Sequence, residues 1–380
     1  MEQRAYLILE NGTIFEGRSF GAAGEVTGEV VFTTAMTGYL ETLTDPSYYG
    51  QIVMQTFPLI GNYGVIPSDF ESSQPHLKGY IVREWCQQPS NFRADEKEGC
   101  LDTFLKAKGV VGLCGIDTRA LTRIVREHGV MNGRIVPAST LGEGDPAVDS
   151  ALMEELKRYR IVNAVQSVGG GEQGFYPADP QANPGQPRKK VVLWDFGAKG
   201  NICRNLNRRG CDVWIVPSTS TAEEILAMNP HGIMLSNGPG DPAENVEIIG
   251  QLAKLCEAKK PIFGICLGHQ LLALSQGAKT AKLKYGHRGA NQPVADRQTG
   301  RVYITSQNHG YAVLSDTLPA TAKERFANAN DNSCEGVDYL NMPAFSVQFH
   351  PEAAAGPLDT AFLFDRFIAM MEGESSNAEK

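Results

Sequence analysis

Two different rhythms of apolar and polar positions run along this chain. From residue 190 onward, short apolar runs alternate with helix-length segments: a strand over 191–195, a helix to 209 closed by Gly210, a strand over 212–216, a helix over 221–228, a strand over 232–236, a helix over 243–258 and a strand over 261–265. Strands separated in this way need crossover connections and pair in parallel, which predicts an α/β, doubly wound, mostly parallel sheet. The first half reads differently. An apolar run over 6–9, the pair Asn11-Gly12 and a second run over 13–15 predict a hairpin on a type I′ turn, with further strands over 30–34 and 51–56. Apolar residues at 120, 121, 124 and 125 have helical spacing and predict a helix over 118–127. A smaller α+β domain ahead of the α/β one follows.

Between these halves, Pro177, Pro180, Pro184, Gly185 and Pro187 form a stretch that can neither join a ladder nor propagate a helix. It is the best linker candidate; an irregular loop within one domain is the alternative. The expected division is a first domain over 1–150, a connecting segment over 151–189 and a second domain over 190–380.

Composition narrows the function classes. With 380 residues, 42% hydrophobic and 21% charged, the chain is long enough for two cored domains. The run over 6–9 is too short for a secretory core, and no apolar stretch reaches the roughly 18 residues of a membrane span, so a soluble, cytoplasmic protein without membrane contact is expected. A net charge of −8 argues against a nucleic-acid partner. Eight cysteines show neither a CxxC pair nor metal-ligand spacing, so reduced thiols are expected, with no disulfide framework and no metal site.

Open parallel sheets carry their sites at the carboxyl ends of strands. Asn237-Gly238-Pro239-Gly240-Asp241 follows one predicted strand and Cys266 another, so the two share an edge if those strands are parallel neighbours. Cys266 stands between Gly264 and Gly268, where an apolar strand ends and a helix over 270–276 is predicted. A nucleophile on such a bend is exposed at the sheet edge, leaves the next backbone N–H free for an oxyanion, and gains thiolate character from the helix N-terminus. His350 ends the apolar run 345–349; Pro351 stops that ladder and Glu352 can orient the ring, which gives the base-plus-orienter logic of a Cys, His, Glu triad. Blander readings compete. A lone cysteine is usually a small buried hydrophobe, and Cys86, Cys100, Cys114, Cys203, Cys211, Cys256 and Cys334 are read so. His269 is either a rival base or structural, His309 serves either packing or substrate contact, and a Gly-Pro-Gly loop is more often a plain turn than a ligand cradle.

Taken together, Gly-Ile-Cys-Leu-Gly-His-Gln at 264–270, Ser-Asn-Gly-Pro-Gly-Asp at 236–241 and Gln-Phe-His-Pro-Glu at 348–352 resemble the three signatures of the class I (triad) glutamine amidotransferases. The resemblance implies Cys266 as nucleophile, His350 as general base and acid, and Glu352 as its partner. It further implies an oxyanion hole from backbone N–H groups of Leu267 and Gly240 or Gly238, and glutamine contacts from Gln270, Asn308, Gly310 and Tyr311. In the first half, Thr37-Gly38-Tyr39-Leu40-Glu41, Thr44-Asp45-Pro46-Ser47-Tyr48 and Gly115-Ile116-Asp117-Thr118-Arg119 resemble the amino-terminal domain of carbamoyl phosphate synthetase small chains. That likeness implies that Ser47 reaches the glutamine site. Tyr311 stands where members of the family often carry Phe, and Phe92 where Trp is more usual.

What this implies is hydrolysis of L-glutamine with no cofactor in this chain, and ammonia passed to a large partner chain that uses ATP, Mg2+ and bicarbonate to make carbamoyl phosphate for arginine and pyrimidine synthesis. No Gly-Lys pair occurs in the sequence, so a P-loop is excluded. Three rivals stand beside this reading: an amidotransferase serving a different synthase, a free-standing thiol hydrolase, and a non-catalytic scaffold subunit, which predicts a lost triad member.

Overall fold

The computed structural model describes residues 3–93, 99–140, 150–169, 173–183, 185 and 187–373. The chain forms two compact units, Met1–Ile161 and Val162–Lys380.

In the first unit, seven strands close into a barrel in the order Arg4–Leu9, Ile14–Gly21, Val111–Cys114, Gly79–Val82, Gln51–Gln55, Val26–Thr33 and Met131–Pro137. Pairing is antiparallel in the hairpin Arg4–Leu9 with Ile14–Gly21, where Met131–Pro137 joins Arg4–Leu9 and Val26–Thr33, and where Val111–Cys114 joins Ile14–Gly21. It is parallel through Val26–Thr33, Gln51–Gln55, Gly79–Val82 and Val111–Cys114. Continuous apolar runs such as 52–54 and 80–82 arise because these strands are buried on both faces. Ile52, Met54 and Ile81 point to one core with Leu7, Leu9 and Leu113, while Val53, Tyr80 and Val82 pack against the helices Tyr39–Thr44 and Leu101–Ala107. The expected helix is Thr118–His128, capped by the Asp117 side chain, which accepts from Ala120 N–H.

The hairpin at Asn11-Gly12 is not of type I′, which needs positive φ at both central residues. Only Gly12 has one, at 86°, and Gly12 N–H donates to Leu9 O while Leu9 N–H donates to Thr13 O, both at 2.9 Å. The Asn11 side chain accepts from Thr13 N–H at 3.0 Å and holds its own backbone on the ordinary side of φ, so the chain turns through a three-residue loop with a glycine bulge.

The expected connecting segment 151–189 is divided between the units. Ser150–Arg158 is a helix that buries Leu156 against Tyr6, Ile8 and Val136 of the first. Gly174–Tyr176 pairs antiparallel with Cys211–Pro217 as an edge strand of the second. The proline-rich stretch therefore lies inside the second unit. Its prolines keep it out of the ladder, yet side chains anchor it, with Ala178 N–H donating to Asp212 Oδ1 at 2.9 Å and Asn183 Nδ2 to Arg209 O at 3.1 Å. Pro184 is outside the described residues.

The second unit is built on a ten-stranded sheet whose centre is parallel, in the order Cys211–Pro217, Lys189–Asp195, Gly232–Leu235, Ile262–Ile265 and Ala344–Val347. Alternate side chains feed two cores: Val192 and Trp194 face the helices Ala222–Ala227, Val246–Glu257 and Leu267–Ser275, and Val191 and Leu193 face Gly200–Asn207 and Phe362–Met371. Helices on both faces of a parallel sheet are the doubly wound arrangement. Beyond Ala344–Val347 the sheet continues antiparallel through Cys334–Tyr339, Ala322–Asn328 and the long hairpin Thr280–Asp296 with Val302–Val313. No helix among the described residues is long and apolar enough to cross a membrane.

Candidate active site

Three neighbouring parallel strands deliver the site. Gly232–Leu235 runs into Ser236 and the Gly-Pro-Gly loop, Ile262–Ile265 ends at Cys266, and Ala344–Val347 leads to His350. Ile265 is in register with Val347, and Cys266 N–H donates to Val347 O at 2.8 Å, so the thiol and the histidine emerge at the same sheet edge.

The bend at Cys266 is strained. Its φ of 52° and ψ of −104° are rare for a residue with a side chain, and it is itself the N-cap of Leu267–Ser275, which begins three residues before the expected start at Gln270. Gly268 makes this possible: a Cβ there would lie 2.5 Å from Leu235 O, so only a glycine lets the first turn rest on the neighbouring strand. Leu267 opens the helix and its N–H has no acceptor within the helix. Gly240, in the adjoining loop, has φ 89°.

Cys266, His350 and Glu352 are each at most 3% exposed. His350 Nδ1 lies 2.6 Å from Glu352 Oε1. Burial, and after it the Lys199 ammonium, favours a neutral ring, but the charges of Glu352 and the Cys266 sulfur outweigh both and raise His350 to about 10. Burial pushes Glu352 up, and the His350 charge, their hydrogen bond and Lys199 overrule it, leaving the carboxyl below its ordinary value. The arrangement is a buried imidazolium clamped by a carboxylate, able to give a proton to a leaving group and recover it.

The strand Val302–Val313 closes the other side. Cys266 Sγ lies 3.7 Å from Asn308 O, and His350 N–H donates to Ser306 O at 2.9 Å. Gln270 Nε2 donates to Tyr311 O at 2.8 Å and to Gln348 Oε1 at 2.9 Å. Asn308, Gly310 and Tyr311 are thus brought beside the sulfur's strand, with Gly310 and Tyr311 half-buried. Ser47 belongs to the first unit, in the turn Pro46–Tyr48, where its N–H donates to Asp45 Oδ1 at 2.9 Å.

His269 is fully buried with Nδ1 2.8 Å from Ser346 Oγ, and burial lowers it to about 3. It is a neutral packing residue. His309 Nδ1 donates to Tyr311 O at 2.7 Å, and burial, followed by the charge of His287, holds it well below an ordinary histidine.

Sequence reasoning passed over Lys199. Its ammonium sits 3.7 Å from Glu352 Oε1 although the residue is only 8% exposed, and its N–H donates to Asn237 Oδ1 at 3.0 Å. The signal was available, since Lys199 follows the strand Lys189–Asp195 and the carboxyl-end rule applies to that strand too.

The family "Carbamoyl-phosphate synthase small chain, CPSase domain" matches residues 7–135, and "Glutamine amidotransferase class-I" matches residues 192–370. A carbamoyl phosphate synthase small chain of Syntrophotalea carbinolica is 50% identical over 378 residues, 97% of this chain and 98% of that protein. One from Listeria monocytogenes is 50% identical over 370 residues, covering 97% of each. A pyrimidine-specific small chain of Halalkalibacterium halodurans is 49% identical over 376 residues, 98% of each.

Proposed function

The chain belongs to the carbamoyl phosphate synthase small-chain family, and from that premise we propose that it hydrolyses L-glutamine at a Cys266, His350, Glu352 triad. The ammonia released passes to a large synthetase chain that uses ATP, Mg2+ and bicarbonate to form carbamoyl phosphate, for arginine and pyrimidine synthesis in the cytoplasm.

The observation that carries the reading is the in-register pairing of Ile265 with Val347, with Glu352 2.6 Å from the imidazole that follows. The Cys266 thiolate, paired with the His350 imidazolium, attacks the side-chain amide carbon, and the Leu267 N–H with that of Gly240 or Gly238 takes the negative charge forming on oxygen. The imidazolium of His350 gives its proton to nitrogen, the C–N bond breaks, and ammonia leaves. Water, deprotonated by the same ring, then opens the γ-glutamyl thioester, releasing the γ-carboxyl product and restoring the Cys266 thiolate beside the protonated ring. Glu352 keeps the proton on Nδ1 and stabilises the charged ring, while Gln270, Asn308, Gly310 and Tyr311 hold the substrate. Neither metal nor organic cofactor takes part in these steps.

A glutamine analogue with an electrophilic carbon in place of the amide tests this assignment. It should label the chain once, on Cys266, and free glutamine should protect. Label on another residue would remove Cys266 from its role.

A further inference from the structure

We propose that His287, His309 and Glu335 form a binding site for one divalent transition-metal ion of the zinc class. The three residues come from three strands of the antiparallel half of the second unit's sheet. His287 and His309 are directly opposed in the long hairpin, their rings edge to face at 5.0 Å, and Glu335 lies in the strand Cys334–Tyr339. One donor atom from each lies within 4.8 Å of the others.

Hydrogen bonding fixes what these atoms can offer. Tyr311 O only accepts, so the proton of a neutral His309 is on Nδ1, 2.7 Å away, and Nε2 presents a lone pair. That lone pair faces the Gln307 side-chain amide at 3.2 Å and Glu335 Oε1 at 3.9 Å. His287 Nε2 lies 2.8 Å from Asp331 Oδ2, which leaves Nδ1 toward Glu335 Oε1 at 3.5 Å. Glu335 is 0% exposed, and its Oε2 and the Nδ1 of His287 have no hydrogen-bond partner. Acceptors converging in a buried place call for positive charge between them. A proton on His287 serves only the contacts with Asp331 and Glu335, whereas a cation serves all three groups.

Two imidazoles and a carboxylate are a zinc-type donor set, unlike the all-oxygen shells of Mg2+ or Ca2+. Both rings are already held through their other nitrogen, one by a carboxylate and one by a backbone carbonyl, the second-shell pattern of metal-bound histidines. Binding draws the donors inward, toward the separation of about 3.4 Å of tetrahedral ligands. The Tyr311 carbonyl also accepts from Gln270 Nε2 at 2.8 Å, so occupancy stiffens the strand edge beside Cys266. That consequence, unlike the site itself, concerns the proposed glutaminase.

The test uses the full chain, stripped with a chelator, then titrated with Co2+ as the optical probe and with Zn2+ against a chromophoric competitor. Uptake of one equivalent is expected, with visible Co2+ absorption and no thiolate charge-transfer band, unchanged in Cys266→Ala. His287→Gln and Glu335→Gln should abolish it, and the outer-shell change Asp331→Asn, at a half-exposed side chain that keeps the fold, should weaken Zn2+ binding by about 10- to 100-fold. No uptake by the intact chain, affinity unaltered by Asp331→Asn, or a thiolate band that disappears in Cys266→Ala would each overturn the proposal.

Discussion

His350 Nδ1 and Glu352 Oε1 are 2.6 Å apart, two residues from each other in sequence and both without solvent contact on their side chains. A carboxylate only accepts, so this contact places a proton on Nδ1 and leaves Nε2 for chemistry.

Replacing Glu352 by Gln keeps the shape and removes the charge that holds the ring protonated. Glutamine turnover should fall by about 10²- to 10⁴-fold, with KM nearly unchanged and the far-ultraviolet circular dichroism intact. An unaltered kcat would show that the carboxylate has no part in the reaction.

The same pair predicts a pH dependence of stability. His350 is raised to about 10, so its contribution is complete below the unfolded value near 6.5 and disappears as pH rises through about 10. Glu352 is lowered, so its contribution is lost in acid, as pH falls through its depressed value. Urea midpoints followed from about pH 6.5 to 10 should drop more steeply for the native chain than for His350→Gln. Parallel curves would contradict the assignment.

Gly268→Ala places a Cβ 2.5 Å from Leu235 O, against backbone that cannot yield as a side chain would. A loss of about 1–3 kcal/mol in unfolding free energy is expected, together with loss of glutaminase activity as the Cys266 bend is displaced. Denaturant titration and glutamate release measure the two effects.

The family likeness implies a role for Ser47 in glutamine use, so Ser47→Ala should raise KM for glutamine several-fold while the Asp45 carboxylate still holds the turn through the Ser47 backbone N–H. Unchanged glutamine kinetics would show that Ser47 has no contact with substrate.

Much of the second unit was legible because its strands and helices follow local periodicities, and because Cys266 and His350 both follow apolar runs that end abruptly. Less local features were not. The barrel is closed by parallel pairings between segments dozens of residues apart, which no periodicity reports. Glycines at 264 and 268 looked like a turn before a helix, whereas Gly268 is the second residue of the helix and is small for the sake of Leu235. Asn11-Gly12 marked a hairpin correctly, but the Asn11 side-chain bond to Thr13 selected a different turn. His287, His309 and Glu335 meet only through strand pairing, so their spacing along the chain carried no sign of a cluster.

The most direct measurement compares two nitrogen sources for Cys266→Ala assembled with its synthetase chain. The variant should form carbamoyl phosphate from ammonium salts at the native rate and none from glutamine. Glutamine-dependent synthesis persisting in that variant would contradict the account at its centre.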